Sequence, residues 1–438
     1  MTIPNQFLAR VIDRINTSIW LVPSVMGLAG VVLAFVMLHL DRGQAHVAWE
    51  WLRLMQIGAE GVRQVFSVTT GSMMTITGVT FSISIVALSL ASNQFGPKIL
   101  RNYMSDHANK IVLGLLIATF IYGLTVLAFI DGQGEGYIPL FATIVNLVLT
   151  VTAIGGMIYF IHNISKSIQA EQIIALIGRD LDRAIDRTLY AEAPNGAHFA
   201  AADWQRLTDG LQAFPLTGGA SGYVQTIDYD GLAAQAKALD CYIRIDTRAG
   251  RFIIERGRVG EYYARRALDD DTLQQLRCLI ATGRERTPIQ DIEFALDQLV
   301  QVALRALSPG INDPYTAMTC IDWLSAALAK MGTRAFPPPY MTDPDGELRL
   351  AANNFTFAGA VNAIFDPLRQ NARGNEMVVI RLLEAIAAII GVTGNAAWQD
   401  CLLRQAGMIH ADAQDSIVQR ADRDVVEQRY RQIKALSR

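Results

Sequence analysis

Apolar residues crowd into four long runs in the first third of the chain, and beyond it they alternate with polar residues at helical and strand periods. The runs cover about 19–40, 71–92, 111–130 and 137–161. Each is close to the ~20 residues that a helix needs to cross a bilayer. They predict four transmembrane helices within a membrane domain of residues 1–165. Between the first two runs, residues 46–68 carry Trp49 and Trp51 and place Leu52, Met55, Ala59, Val62 and Phe66 at helical spacing. Trp at such a position suits a membrane surface, so the segment predicts an interfacial helix, with a helical extension of the second run as the alternative.

The second run differs from the others. From Gly71 to Ser92 it has no charged residue, yet it is rich in Ser and Thr. At heptad-like spacing Thr75, Gly78, Ser82, Ile85, Ser89 and Ser92 form a stripe of mostly small or hydroxylated residues, and Ile76, Val79, Ile83, Val86 and Leu90 form an apolar one. Two uses fit the first stripe. Small residues let helices approach closely, with hydroxyls bonding across or back to a carbonyl one turn earlier. Alternatively the Ser and Thr oxygens line a water-filled path. Thr75, Gly78, Ser82, Ser89 and Ser92 are therefore candidate pore-lining or helix-packing residues.

After residue 165 the periodicities change. Residues 166–221 read as a connecting helix and linker, 222–268 as a small β-α-β-β module, and 269–438 as a helical domain. The fold class is thus an α-helical membrane protein with an α+β, mainly α-helical C-terminal domain. Asp180, Asp182 and Asp186 interleave with Arg179, Arg183 and Arg187, which predicts a solvated face laced by local ion pairs. In the module, GYVQTID and CYIRID read as strands around a helix from Tyr229 to Leu239, followed by a hairpin turning near Ala249 and Gly250. Residues from Thr272 to Thr282 and from Pro288 to Leu307 read as helices. The SPGINDP sequence then predicts a stop at Gly310, a cap at Asp313 and Pro314 at the first helical position. Asn312 and Asp313 form either a ligand loop or a structural one. A proline-rich break with a hairpin precedes four more helices from Phe357, the last of them charged and solvated.

Charge and cysteine content narrow the function. A net charge of −3 with no basic, aromatic-interleaved patch gives no sign of a nucleic-acid partner. The cysteines Cys241, Cys278, Cys320 and Cys401 are far apart, so neither a disulfide framework nor a zinc site is expected. No nucleophile elbow, zincin, phosphate-loop or dinucleotide fingerprint occurs, and the histidines do not cluster. Neither catalytic residues, a cofactor nor a metal is expected. Lys98, Arg101, Lys110 and Lys166 flank the runs on one side, whereas residues 131–136 carry only Asp131 and Glu135. By the positive-inside rule both termini are then cytoplasmic.

Several segments resemble a bacterial family of predicted inner-membrane proteins of unknown function: GSMMTITGVTFSISIVALSLASNQFGPKILRNYMSD, GYVQTID, RTPIQDIEFALDQLVQVALRALSPGINDPYTA and IYFIHNIS. The similarity runs from the first apolar stretch to roughly residue 400. It implies an architecture and a bacterial inner-membrane location, and no reaction. The functional expectation is an oligomeric channel or permeation pathway for ions or small solutes, lined by the second helix and assembled or gated by the C-terminal domain. The expected partners are the lipid bilayer and further copies of the chain. A membrane-anchored sensor or scaffold is the alternative.

Overall fold

The computed structural model describes residues 20–43, 59–95, 107–132, 139–167, 169–192 and 199–436. The chain divides into two compact units, Met1–Ile173 and Ile174–Arg438.

The first unit contains α1 (Leu21–Gly43), α2 (Ala59–Phe95), α3 (His107–Gly132) and α4 (Leu140–Ser167). All four are long and apolar enough to cross a membrane. The third is the hub: half of its most apolar stretch is buried, against 17% for α2 and α4. An all-round apolar helix belongs in such a position. Gly27 and Gly30 let α1 lie against α3, and a Cβ at Gly30 would stand 2.7 Å from the Ala118 carbonyl oxygen. Such small-residue contacts hold helices together where apolar side chains gain little over lipid.

Polar contacts between helices also fix the bundle; Asn163 Nδ2 of α4, for one, donates to Asn109 Oδ1 of α3 at 3.0 Å. Asn146 Nδ2 donates to Thr69 Oγ1 at 2.9 Å, and the Tyr122 hydroxyl donates to the Ala142 carbonyl at 2.9 Å. The Asp41 carboxylate, at the end of α1, accepts from the Phe141 and Ala142 amides at 2.8 and 3.1 Å. Those amides belong to the first turn of α4, whose N–H groups have no partner within their own helix. Asp41 thus acts as an N-cap supplied from another helix.

Because α2 begins at Ala59, residues 59–68 are its first turns, the alternative reading of that segment, and residues 46–58 lie outside the described residues. On α4, Gly156 faces α3 near Val112 and Leu115, whereas a Cβ at the adjoining Gly155 would meet nothing within 4 Å.

The second unit continues with α5 (Ala170–Thr188), α6 (Ala201–Thr208), β1 (Gln212–Thr217), β2 (Gly222–Ile227), α7 (Tyr229–Ala238), β3 (Tyr242–Ile245), β4 (Phe252–Ile253) and β5 (Arg258–Ala264). Then come α8 (Asp270–Cys278), β6 (Ile280–Gly283), α9 (Ile292–Ala306), α10 (Pro314–Met331), β7 (Tyr340–Thr342) and β8 (Leu348–Ala352). It closes with α11 (Phe357–Asn371), α12 (Glu376–Val392), α13 (Ala396–Ser416) and α14 (Arg420–Leu436). One sheet has the order β1-β5-β3-β8-β7 and is antiparallel except where β3 meets β8; a second has the order β4-β2-β6. Leu216, Val224, Ile243, Tyr262, Leu276 and Leu350 share one core cluster, which joins strands of both sheets to α8.

The β structure therefore extends well beyond residues 222–268. The expected linker contains α6 and β1, and the helix expected over 272–282 ends at Cys278, where β6 follows. The turn at Gly250 makes no hairpin between β3 and β4. Its φ is +87°, its amide donates to Val224 O at 2.8 Å, and it carries the chain from one sheet to the other.

Two charged faces expected to be solvated are largely exposed and carry local pairs such as Arg183–Asp180 and Arg431–Glu427, and both also gain distant partners. Asp182 and Asp186 on α5 take Lys330 at 2.6 and 2.8 Å, and Asp186 takes Arg334 at 2.8 Å. Gly178 admits the Trp323 ring against α5, where a Cβ would stand 2.3 Å from it. The last helix buries Val426 and Ile433, and pairs Glu427 with His410 and Arg429 with Glu384.

Candidate functional site

Helix α2 turns one seam toward the bundle. Met73, Thr80 and Ala87 are buried along it, flanked by half-buried Ile76, Thr77, Ile83 and Ser84. Their spacing is that of a heptad seam. Met73 and Ala87 share a cluster with Leu116 of α3 and Ala153 and Phe160 of α4. The apolar stripe read from the sequence is therefore split. Ile76 and Ile83 pack inward, while Val79, Val86 and Leu90 remain exposed.

The hydroxyl stripe faces away from the bundle. Thr75, Gly78, Ser82 and Ser89 are all exposed, and a Cβ added at Gly71 or Gly78 would meet nothing within 4 Å. Ser92 lies in the last part of α2, and its side chain is outside the described residues. Two of the stripe's hydroxyl protons, those of Thr75 and Ser82, are committed to the helix backbone. Thr75 Oγ1 donates to Gly71 O at 3.2 Å and Ser82 Oγ to Gly78 O at 3.0 Å. A hydroxyl has one proton and two lone pairs. When its proton is bound to the helix backbone, it offers acceptors to whatever lies outside. Such a surface suits cations, or neutral solutes with donors, better than anions.

The other candidate loop is a cap. Asp313 Oδ1 accepts from the Thr316 amide at 3.1 Å, and Thr316 Oγ1 donates to Asp313 Oδ2 at 2.6 Å. Asn312 has φ +49°, a left-handed conformation that Asn tolerates better than most residues. Its amide and that of Asp313 donate to Ser308 O and Ala306 O. Asp313→Ala should cost about 1 kcal/mol, as lost N-caps do. Thermal melting of the purified chain checks this, and an unchanged melting temperature would count against the cap.

Among family models, one described as predicted membrane protein (DUF2254) matches residues 16–388. The chain belongs to that family. Uncharacterized proteins of Mycobacterium bovis and Mycobacterium tuberculosis are each 30% identical to it over 429 residues, 95% of this chain and 80% of theirs. No solved structure matches it.

In this DUF2254 chain the RTPIQDIEFALDQLV sequence is accounted for by folding. Gln290 pairs with both backbone groups of Ile227, at 2.9 and 3.1 Å, as a strand neighbour would. Asp291 caps α9 through the Phe294 amide at 3.0 Å. Arg286 grips Asp291 at 2.8 and 3.1 Å and Asp297 at 2.6 Å. Sequence reading missed this triad because Arg286 and Asp297 look like ordinary surface charges. Among the described residues no cluster of His, Cys, Asp or Glu is arranged to hold a metal ion.

Proposed function

We propose that the chain spans a bacterial membrane four times and assembles with copies of itself so that α2 lines a path for small cations or neutral solutes. The observation that carries this reading is the position of the Thr75–Gly78–Ser82–Ser89 stripe. It is uncharged and oxygen-bearing, and it is turned away from the chain's other three apolar helices. Exposure of so many hydroxyls on one side is expected where water or a further helix covers them. The membrane setting rests on the four apolar helices and the family description.

The reading is tested by flux through vesicles containing the purified chain. Release of potassium or glycerol should exceed that of protein-free vesicles, and Ser82→Leu should change it while oligomer size stays the same. A second reading has an observation of its own. The back-bonded hydroxyls and the open space at Gly71 and Gly78 also suit dry, close packing of α2 against another copy, as in a membrane-anchored scaffold. No flux from intact oligomers, with Ser82→Leu breaking them up, would establish that reading instead.

A further inference from the structure

The second unit holds a concavity of about 230 Å³ between the end of β1, the TGGASG loop that follows it and the last turn of α8. Of the residues lining it only Arg277 is charged. The half-buried arginines Arg248, Arg286, Arg349 and Arg369 of the same unit each face a carboxylate. Arg277 does not. Its Nε donates to Thr217 O at 3.2 Å and its Nη2 to Thr217 Oγ1 at 2.9 Å, and among the described residues no carboxylate is in ion-pair contact with it. These bonds tie the guanidinium to the end of β1 at the wall of the concavity.

The loop supplies a second, independent set of donors. The Gly218 amide is used, bonding Gly257 O at 2.9 Å. The amides of Gly219 and Ala220, which also line the concavity, donate to no acceptor among the described residues. Glycines keep this loop tight. A Cβ at Gly222 would stand 2.7 Å from Gly283 O, and one at Gly218 would stand 3.1 Å from Ile253 Cδ1. Consecutive backbone N–H groups in a turn make an anion-binding hollow. A planar guanidinium with free donors matches the oxygens of a phosphate or carboxylate.

We infer that this concavity binds the oxyanion of a small phosphorylated molecule, held between the Arg277 guanidinium and the Gly219 and Ala220 amides. The site is independent of the permeation reading, since its ligands all lie in the second unit. Cys278 lines the same concavity and is exposed, which supplies a built-in reporter. Burial pushes the Cys241 thiol up to about 11 and raises the Cys320 and Cys401 thiols too, so these three react slowly.

The test uses the full chain in detergent and the uncharged reagent N-ethylmaleimide. Inorganic phosphate should slow labelling of Cys278 saturably, by about tenfold at about ten times the midpoint concentration. Sodium chloride at equal ionic strength should not. Protection by acetate equal to that by phosphate would overturn the phosphoryl assignment in favour of a carboxylate. Arg277→Gln should abolish the protection while Cys278 keeps its labelling rate in chloride; protection that survives the substitution would overturn the site. Ala220→Pro, which removes one amide donor and leaves the cation, should weaken protection as well. Calorimetric titration of the wild-type chain with phosphate needs no variant. The absence of both heat and protection there would end the proposal.

Discussion

Single cysteines at Thr75, Ser82 and Ser89 will react with a small water-soluble thiol reagent in membranes at least about tenfold faster than cysteines at Met73, Thr80 and Ala87. The expectation follows from the two sides of α2. The first three positions are exposed and the last three are buried against α3 and α4. A thiol must ionise to react, and ionisation needs water. Cysteines at Val86 and Leu90, which are exposed but apolar, separate a wet stripe from a helix that is simply uncovered. If they face lipid they stay unreactive while the hydroxyl stripe reacts. The four native cysteines are replaced first. Equal labelling of Val86, Leu90 and the stripe would place the whole outer face of α2 in water and remove it from the membrane. Protection of every position would leave α2 as a packing helix with no aqueous path along it.

Arg286→Ala will destabilise the second unit by about 3–5 kcal/mol, the cost of leaving a buried charge without its partner. The Asp291 side chain is 2% exposed, and Arg286 meets it through two nitrogens while a third reaches Asp297. Burial holds the Asp291 carboxyl above the ordinary carboxylate range, and the Arg286 hydrogen bonds act against that rise. Removing Arg286 leaves burial the stronger influence, so the folded variant should take up a proton on Asp291 more readily than the unfolded chain does. A carboxyl whose folded pKa is raised contributes most at low pH and loses that contribution as pH rises through the interval above its unfolded value of about 4. The deficit of the variant should therefore be smallest in acid and grow toward neutrality. Denaturant unfolding of the full chain at several pH values measures both effects. A deficit below about 1 kcal/mol at neutral pH would show that Asp291 finds water or another donor instead.

The elements that the sequence disclosed are those whose signal is local. Asp313 followed by Pro314 is a cap and first-turn pair wherever it falls, and Asp313 makes the expected bond to Thr316. The four apolar helices followed from length and composition alone. What stayed hidden depends on distant partners. Asp186 stays solvent-exposed, but its partner Lys330 lies 144 residues away and leaves no mark near it in the sequence. The strand β1 contains Pro215, which reads as a turn; it is tolerated because β1 lies at the edge of its sheet. The strand β6 is four residues long and follows a helix almost directly, too short for its own periodicity to register. The hydroxyl stripe of α2 was visible as a pattern. Which side of the helix it occupies depended on Met73, Thr80 and Ala87, whose seam has meaning only once α3 and α4 are present.

The cap that Asp41 provides to α4 has a consequence for biosynthesis. Its acceptors serve amides 100 and 101 residues further along the chain. A chain made from its N-terminus therefore delivers the first helix before either of the amides that Asp41 binds in the folded bundle has been made. Docking of α4 then supplies both bonds together. The last apolar helix to leave the ribosome is thus the one that completes the first.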